Sequence, residues 1–422
     1  MLYWPRRVFS LRKAILVSAG VLVTALVFYP GCFSGDAQFS WNEAVSSGDL
    51  KFRDWHPPLI AFIWHLLNTL PLQPVPRYAN LFLAMVCLFW IGVVLAAEPW
   101  EGSRIRWLIF CACVGLYPPV LAILSQTIKD SLFSTARKGL VGACITAGLA
   151  VGALALSKAL TNNPSYTIQA IYTFDLLGMS VKTGKIYLPA LFDDYSKPQW
   201  WPVKGSDIAA SPLTLDNLAQ LYSPITNLGI YWYGPGKGLR VTDDPAEVEE
   251  LKLAWLNAIR DNFLVYLRVR LDVFLTLLGV HANPLGPYYC MWEQGQPPAD
   301  IFYRPLPQLY MRLRDSIFFK GWFYLLTLFL SLLVLVRNRS ASARRLAFLA
   351  CSGIGYGVSY FVIAPSADFR YLYWLMVVFI LIATSLGLSA FDSARCIWTE
   401  WLTRSNRAIT TGHGEALCAR EP

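Results

Sequence analysis

The chain has 422 residues, of which 55% are hydrophobic and only 15% charged, with a net charge of +9. Soluble domains carry about 25% charged residues, so this composition belongs to the membrane class. The positive charge does not indicate nucleic acid. Arg6, Arg7, Arg12 and Lys13 precede the first apolar stretch, and Arg337, Arg339, Arg344 and Arg345 fill one short loop, which is the positive-inside pattern that reports topology.

Residues 14–29 form the first expected span, with basic residues before it and polar ones after. No small-x-small cleavage site follows, so a retained helix is expected rather than a cleaved leader. A polar loop then runs over residues 30–78. It contains Gly35-Asp36-Ala37-Gln38, Asn42-Glu43 and Asp54-Trp55-His56-Pro57-Pro58-Leu59. Residues 57–70 are apolar but only about 14 long, short of the roughly 20 that a span needs, so an interfacial helix is expected there. Asp54 can cap it, and its two prolines fit a first turn in which a missing N–H costs nothing.

Further spans are expected at 79–97, 107–124, 139–160, 322–336, 345–364 and 371–391, about seven in all. Residues 161–320 are rich in Pro, Gly, Trp and Asp, with turns at Tyr233-Gly234-Pro235-Gly236 and Thr242-Asp243-Asp244-Pro245. Within this stretch residues 246–278 read as mostly helical. Residues 263–281 carry Arg268, Arg270 and Asp272 at their centre, which a lipid-facing helix would tolerate poorly. An amphipathic helix packed on the membrane surface or on the bundle is expected instead.

The expected organisation is therefore an all-α polytopic membrane protein with a mixed, mainly helical extracytoplasmic domain. An N-terminal membrane module covers residues 1–160, the outer domain 161–320, the C-terminal membrane helices 321–391, and a basic, partly disordered cytoplasmic tail 392–422. Cys87, Cys111, Cys113, Cys144 and Cys351 lie in apolar runs, as small buried thiols do. Cys32 and Cys290 both fall on the expected outer side, and spacing leaves a disulfide between them open.

Basic ends put the N-terminus, the loop around Arg104 and Arg106, the loop at 337–345 and the C-terminus inside. Every cluster of unusual polar residues then lands on the opposite, outer side. Asp36 reads either as a helix N-cap or as a base. Ser40, Glu43 and Ser47 share its face at helical steps, so two carboxylates converge with His56 near. His56 alone reads equally as a local hydrogen-bonding residue. Lys129 and Asp130 end the third expected span, after Gln126. Arg370 stands beside Asp368 at the mouth of the last span, either as a snorkelling anchor or as a fork for phosphate. Asp193-Asp194 and Asp243-Asp244 read as surface turns. No HExxH or Cys/His metal spacing is present, and no P-loop or dinucleotide fingerprint.

In order and sidedness these motifs resemble the GT-C superfamily of membrane glycosyltransferases, relatives of the protein mannosyltransferases and of the aminoarabinose and lipid A glycosyltransferases. Asp36 matches the acidic residue of the first outer loop, and Asp54-Trp55-His56-Pro57-Pro58-Leu59 an HPP-type motif. Lys129-Asp130-Ser131-Leu132-Phe133 resembles a Lys-Asp motif of some bacterial members, and Asp368-Phe369-Arg370-Tyr371 their late outer loop. The resemblance covers residues 1–134 and 320–391.

It implies an inverting transfer of a sugar from a polyprenyl-phosphate donor to a lipid, glycan or protein acceptor at the outer face of the inner membrane. Asp36, Glu43 and His56 would be catalytic. Gln38, Asp54, Lys129, Asp130, Asp368 and Arg370 would bind substrate, with membrane lipid as surroundings. No cofactor is implied with certainty; a divalent metal is left open. Both termini inside require an even number of crossings, whereas seven are counted. Ser134 runs almost directly into Thr135-Ala136-Arg137-Lys138, where relatives continue with further helices. The chain is therefore expected to lack one or three core helices, a loss that would thin the donor groove and bear on catalytic competence; the alternative is that Arg137-Lys138 lies outside and the central domain is cytoplasmic. A lipid-carrier transporter or a non-catalytic scaffold or receptor are the competing classes. Transporters concentrate polar residues at the midplane, and here the spans are apolar.

Overall fold

The computed structural model describes residues 10–31, 35–46, 52–53, 58–124, 155–164, 166–193, 213–227, 230, 239, 241–284 and 312–418. Among these the chain is mostly helical. The first half contains α1 (Leu11–Phe28), α2 (Gly35–Ala44), α3 (Pro58–Asn68), α4 (Ala79–Ala96), α5 (Arg104–Gly115) and α6 (Pro118–Leu124). A unit of shorter helices outside the apolar bundle follows, called the outer unit from its position beside the bundle, with α7 (Gln169–Thr183), α8 (Leu215–Leu221), α9 (Pro245–Asp261) and α10 (Phe263–Leu277). The chain closes with α11 (Gly321–Arg337), α12 (Ala341–Ile363) and α13 (Tyr373–Cys418). Strand β1 (Phe52–Arg53) pairs in parallel with β2 (Thr161–Asn163), Phe52 opposite Thr161, and ties the first polar loop to the start of the outer unit.

Among the described residues four helical segments are long and apolar enough to cross a membrane: Leu11–Phe28, Ala79–Ala96, Ala341–Ile363 and Phe369–Trp401. They coincide with four of the seven spans expected, those at 14–29, 79–97, 345–364 and 371–391. α11 is apolar but has only 17 residues. The expected span at 107–124 is broken into α5 and α6, because Pro118 and Pro119 remove two backbone donors and clash with the preceding turn. Most of the expected span at 139–160 lies outside the described residues.

Exposed and buried sides separate along the apolar helices. Leu22 and Leu26 on α1, and Phe329, Leu330 and Leu333 on α11, are exposed, as side chains meeting acyl tails would be. The inward faces meet through small residues. A Cβ built on Gly20 or on Gly115 would fall 2.2 Å from the Trp90 ring, so the indole fills the space both glycines leave. Trp90 Nε1 donates to Thr24 Oγ1 at 2.9 Å, and Thr24 Oγ1 donates to Gly20 O at 2.8 Å, which satisfies the buried polar atoms of this seam. Gly353 similarly admits Val378 and Leu328 between α12, α13 and α11.

The bundle has two distinct ends. At one, Lys13 pairs with Glu101 at 3.0 Å and Arg106 pairs with Asp392; the loop of Arg337–Arg345 lies at the same end by the antiparallel order of α11, α12 and α13. At the other lie α2, α3, the 364–372 loop and the outer unit. α13 continues as helix to Cys418, where a partly disordered tail is expected from composition; no proline interrupts it after Tyr373.

The membrane helices share one apolar core with Ala37, Ala44, Ile60 and Trp64 from α2 and α3 and with Ala367 and Phe369 from the last loop. A second core lies inside the outer unit, built from Phe174, Leu177, Leu218, Leu251, Val269 and Val273, and Ala364 at the end of α12 belongs to it.

Candidate functional site

The first polar loop folds as a helical hairpin. α2 begins at Gly35, so Asp36, Gln38, Ser40 and Glu43 are carried on one short helix, with Ser40 buried. The Trp41 and Trp64 rings meet edge-on at 5.2 Å and fix α2 against α3, and Tyr78 closes on Trp41 at 6.4 Å. His65 Nδ1 donates to Ala44 O at 2.9 Å and caps the end of α2. The Glu43 carboxylate accepts the Arg53 backbone N–H at 3.2 Å and so holds β1 beside α2. Asp36 is placed on α2 by its backbone, at the end of the bundle away from the basic loops. Its side chain, and Asp54, His56, Lys129 and Asp130, lie outside what the structure describes, as do Cys32 and Cys290.

Where α3 hands over to α4, three neutral amides gather. Asn80 Nδ2 donates to Asn68 Oδ1 at 2.7 Å and to Gln73 Oε1 at 3.3 Å. Gln73 Nε2 donates in turn to Leu67 O at 2.9 Å. These contacts close the 69–78 turn under the hairpin. Sequence spacing gave no sign of them, since a lone Asn opening an apolar run reads as a helix boundary.

The late loop brings Asp368 and Arg370 together. Asp368 Oδ1 accepts the Arg370 backbone N–H at 3.0 Å and caps the 3-10 turn Phe369–Leu372. Asp368 Oδ2 stands 2.7 Å from Arg370 Nε; the side chains are 7% and 18% exposed, so this pair sits mostly out of water at the mouth of the last span. Phe369 between them is buried against Phe319 at 5.5 Å, and Tyr371 stacks on Tyr360 at 5.1 Å. The guanidinium also lies 5.7 Å from the Tyr371 ring centre. The Arg370 side chain is thus held by the Asp368 carboxylate and the Tyr371 ring, and its backbone N–H by Asp368 Oδ1.

Behind this loop lies a buried ion pair that sequence reasoning only half saw. Arg270 of α10 donates through Nη2 to Asp175 Oδ2 of α7 at 2.5 Å and through Nη1 to Ala364 O at 2.8 Å. Trp255 Nε1 of α9 donates to the same Asp175 oxygen at 2.8 Å. The two charged side chains are 1% and 0% exposed. Burial pushes Asp175 up to about 6, against the lowering effects of Arg270 and Trp255. Burial also raises the Tyr222 phenol beside it, with Asp272 and Asp175 adding to the effect. Arg270 was expected on a helix unsuited to lipid. Its partner, 95 positions away in the run Phe174-Asp175-Leu176-Leu177, was missed; an Asp inside an apolar run is the signal that pairs with an Arg inside another.

Among the described residues no three His, Cys, Asp or Glu side chains converge as a metal set. Asp244 is the N-cap of α9, accepting the Ala246 N–H at 2.9 Å, so this half of Asp243-Asp244 serves helix initiation. No family model, no curated protein and no solved structure matches this chain.

Proposed function

We propose that the chain is a membrane glycosyltransferase that moves a sugar from a polyprenyl-phosphate donor to a lipid, glycan or protein acceptor at the outer face of the inner membrane. The observation that carries this reading is the nearly buried Asp368–Arg370 pair at the end of the last membrane helix. Its neighbours Ala367 and Phe369 share a packed core with Ala37 and Ala44 of α2, the helix bearing Asp36, Gln38 and Glu43. An acidic and a basic group with little exposure thus sit at the end of the bundle opposite the basic loops, where a lipid-linked phosphate would lie.

The chemistry needs both kinds of group. Asp36 takes the acceptor hydroxyl proton as the acceptor oxygen attacks the anomeric carbon from the face opposite the leaving group. The bond from that carbon to the phosphate oxygen breaks, and its electron pair leaves on the lipid phosphate. A guanidinium carries five N–H donors, and the fork of Arg370 suits the charge that develops on that phosphate. The lipid tail held among the helices pre-positions the donor. Basic residues at the opposite end support cytoplasmic termini and an outer site.

Membranes containing the full chain, given a radiolabelled polyprenyl-phosphate sugar, are expected to transfer label to an endogenous acceptor. Asp36→Asn should reduce the rate by about 10²–10⁴-fold, the range of a general base. An Asp36→Asn chain as active as wild type removes Asp36 as the base, and a wild-type chain inert with every polyprenyl-phosphate sugar offered ends the transferase reading.

A further inference from the structure

The late loop is clamped from outside the membrane bundle at two points, both belonging to the outer unit. Arg270 donates to the carbonyl of Ala364, the residue at which α12 ends and the chain turns extended. Three residues later the Ala367 N–H is shared between Pro224 O at 3.1 Å and Ile225 O at 3.2 Å. Asp368 follows immediately. Ordinarily the last carbonyls of a helix are satisfied by water or by a cap. Here the cap is a buried cation from another unit, placed where the negative end of the helix dipole favours it.

Arg270 is in turn firmly tied to the outer unit. Asp175 holds it from α7, Lys182 of α7 pairs with Asp272 two positions further along α10, and Tyr266 lies against its guanidinium at 5.7 Å. Yet the buried network is not fully satisfied: Asp175 Oδ1 and Arg270 Nε have no hydrogen-bond partner among the described residues. A buried ion pair in that state is poor at stabilising a fold compared with apolar side chains of the same size. Its geometry, three fixed contacts joining α7, α9, α10 and the end of α12, is what apolar residues would not supply.

We propose that Asp175 and Arg270 are positioning residues: they lock the outer unit onto the end of α12 and thereby set Asp368 and Arg370 in place at the site. The part of this inference that concerns chemistry rests on the transferase reading; the part that concerns the clamp does not. The outer unit is then the device that presents the phosphate-binding loop, and its motion relative to the bundle would change that presentation.

The double variant Asp175→Leu/Arg270→Met separates the clamp from folding, since replacing both partners leaves no buried unpaired charge. The full chain in detergent is followed by amide hydrogen exchange and by transfer from a polyprenyl-phosphate sugar. The expected result is about tenfold faster exchange over residues 364–372, with α4 unchanged. In the transfer assay kcat should fall about tenfold while KM for the acceptor holds, because the acceptor meets α2 rather than this loop. Arg270→Lys retains the charge beside Asp175 but lacks the fork to hold Ala364 O as well, so it should lie between wild type and the double variant on both readouts; it also decides the matter if the double variant does not fold. Unchanged exchange over 364–372 overturns the clamp. Faster exchange with undiminished transfer overturns positioning. Faster exchange in a preparation whose wild type transfers nothing keeps the clamp and ends the transferase reading.

Discussion

At the residue scale, the Asp175–Arg270 pair has a consequence for pH. The Asp175 carboxyl is raised in the folded chain to about 6 from an ordinary value of 3.8, with burial the larger cause. A carboxyl raised on folding contributes most to stability below its unfolded pKa and loses that contribution as pH climbs through the folded one. The relevant window therefore runs from about pH 4 to about pH 6. Thermal melts of wild type and Asp175→Asn in detergent should show this as a difference that moves against wild type as pH rises through that window. A difference that is flat from pH 4 to pH 7 would remove the raised Asp175. Truncating one member alone is another matter. Arg270→Ala leaves the carboxylate buried and unpaired, and should cost about 3–5 kcal/mol. The sequence pointed to Arg270 because a cation in an apolar helix must be accounted for. It could not point to Asp175 as the partner, since nothing local connects α7 to α10 across 95 positions.

At the element scale, helices announced by length and hydropathy were legible, and those set by a single break were less so. α1, α4 and α12 follow directly from apolar runs bounded by basic or polar residues. α3 starts at Pro58, as its prolines and shortness implied, yet Trp64, Ile60 and Ala61 are buried between α2 and α4 rather than laid on a surface. α5 and α6 are one apolar run in composition, and only the backbone chemistry of Pro118-Pro119 divides them. Packing between elements was not legible, because it depends on which small residue faces which large one. Trp90 shows this: it reaches across to Gly20 on α1 and Gly115 on α5 at once. Gly115→Ala should therefore destabilise the bundle by about 1–3 kcal/mol through overpacking. Gly355→Ala is the control, since its Cβ would meet nothing within 4 Å and a helix gains from losing a glycine. Melts of both variants read this out, and Trp90→Leu should relieve Gly115→Ala. If Gly115→Ala melts with wild type, the Trp90 seam is looser than described.

At the scale of the whole molecule, the direction of each element constrains which side the chain occupies. α1 leaves the basic end at Lys13 and α4 returns to it at Glu101. α5 leaves it again at Arg106, beside Asp392, and the broken helix reaches the far end, where the Tyr117 and Tyr324 hydroxyls meet at 2.8 Å. β2 lies at that same far end, because it pairs with β1 beside Glu43. α11 then descends, α12 ascends and α13 descends. Counting the broken α5–α6 as one passage, the described elements make an even number of traverses, and the two ends of the described chain share the basic end. α13, with 46 residues, is about 69 Å long at 1.5 Å per residue, more than twice the roughly 30 Å of bilayer hydrocarbon. Its C-terminal half thus projects past the basic end. Placed in a membrane, this geometry expects a cysteine at Glu250, on exposed α9, to react with an impermeant maleimide from the outside of intact cells. A cysteine at Ser342, in the basic loop, should react only after permeabilisation. Both substitutions belong in a chain with its native cysteines replaced, because Cys113 and Cys351 are exposed. Labelling of both positions from the same side would break the alternation of directions on which the outer placement of Asp36, Asp368 and Arg370 depends.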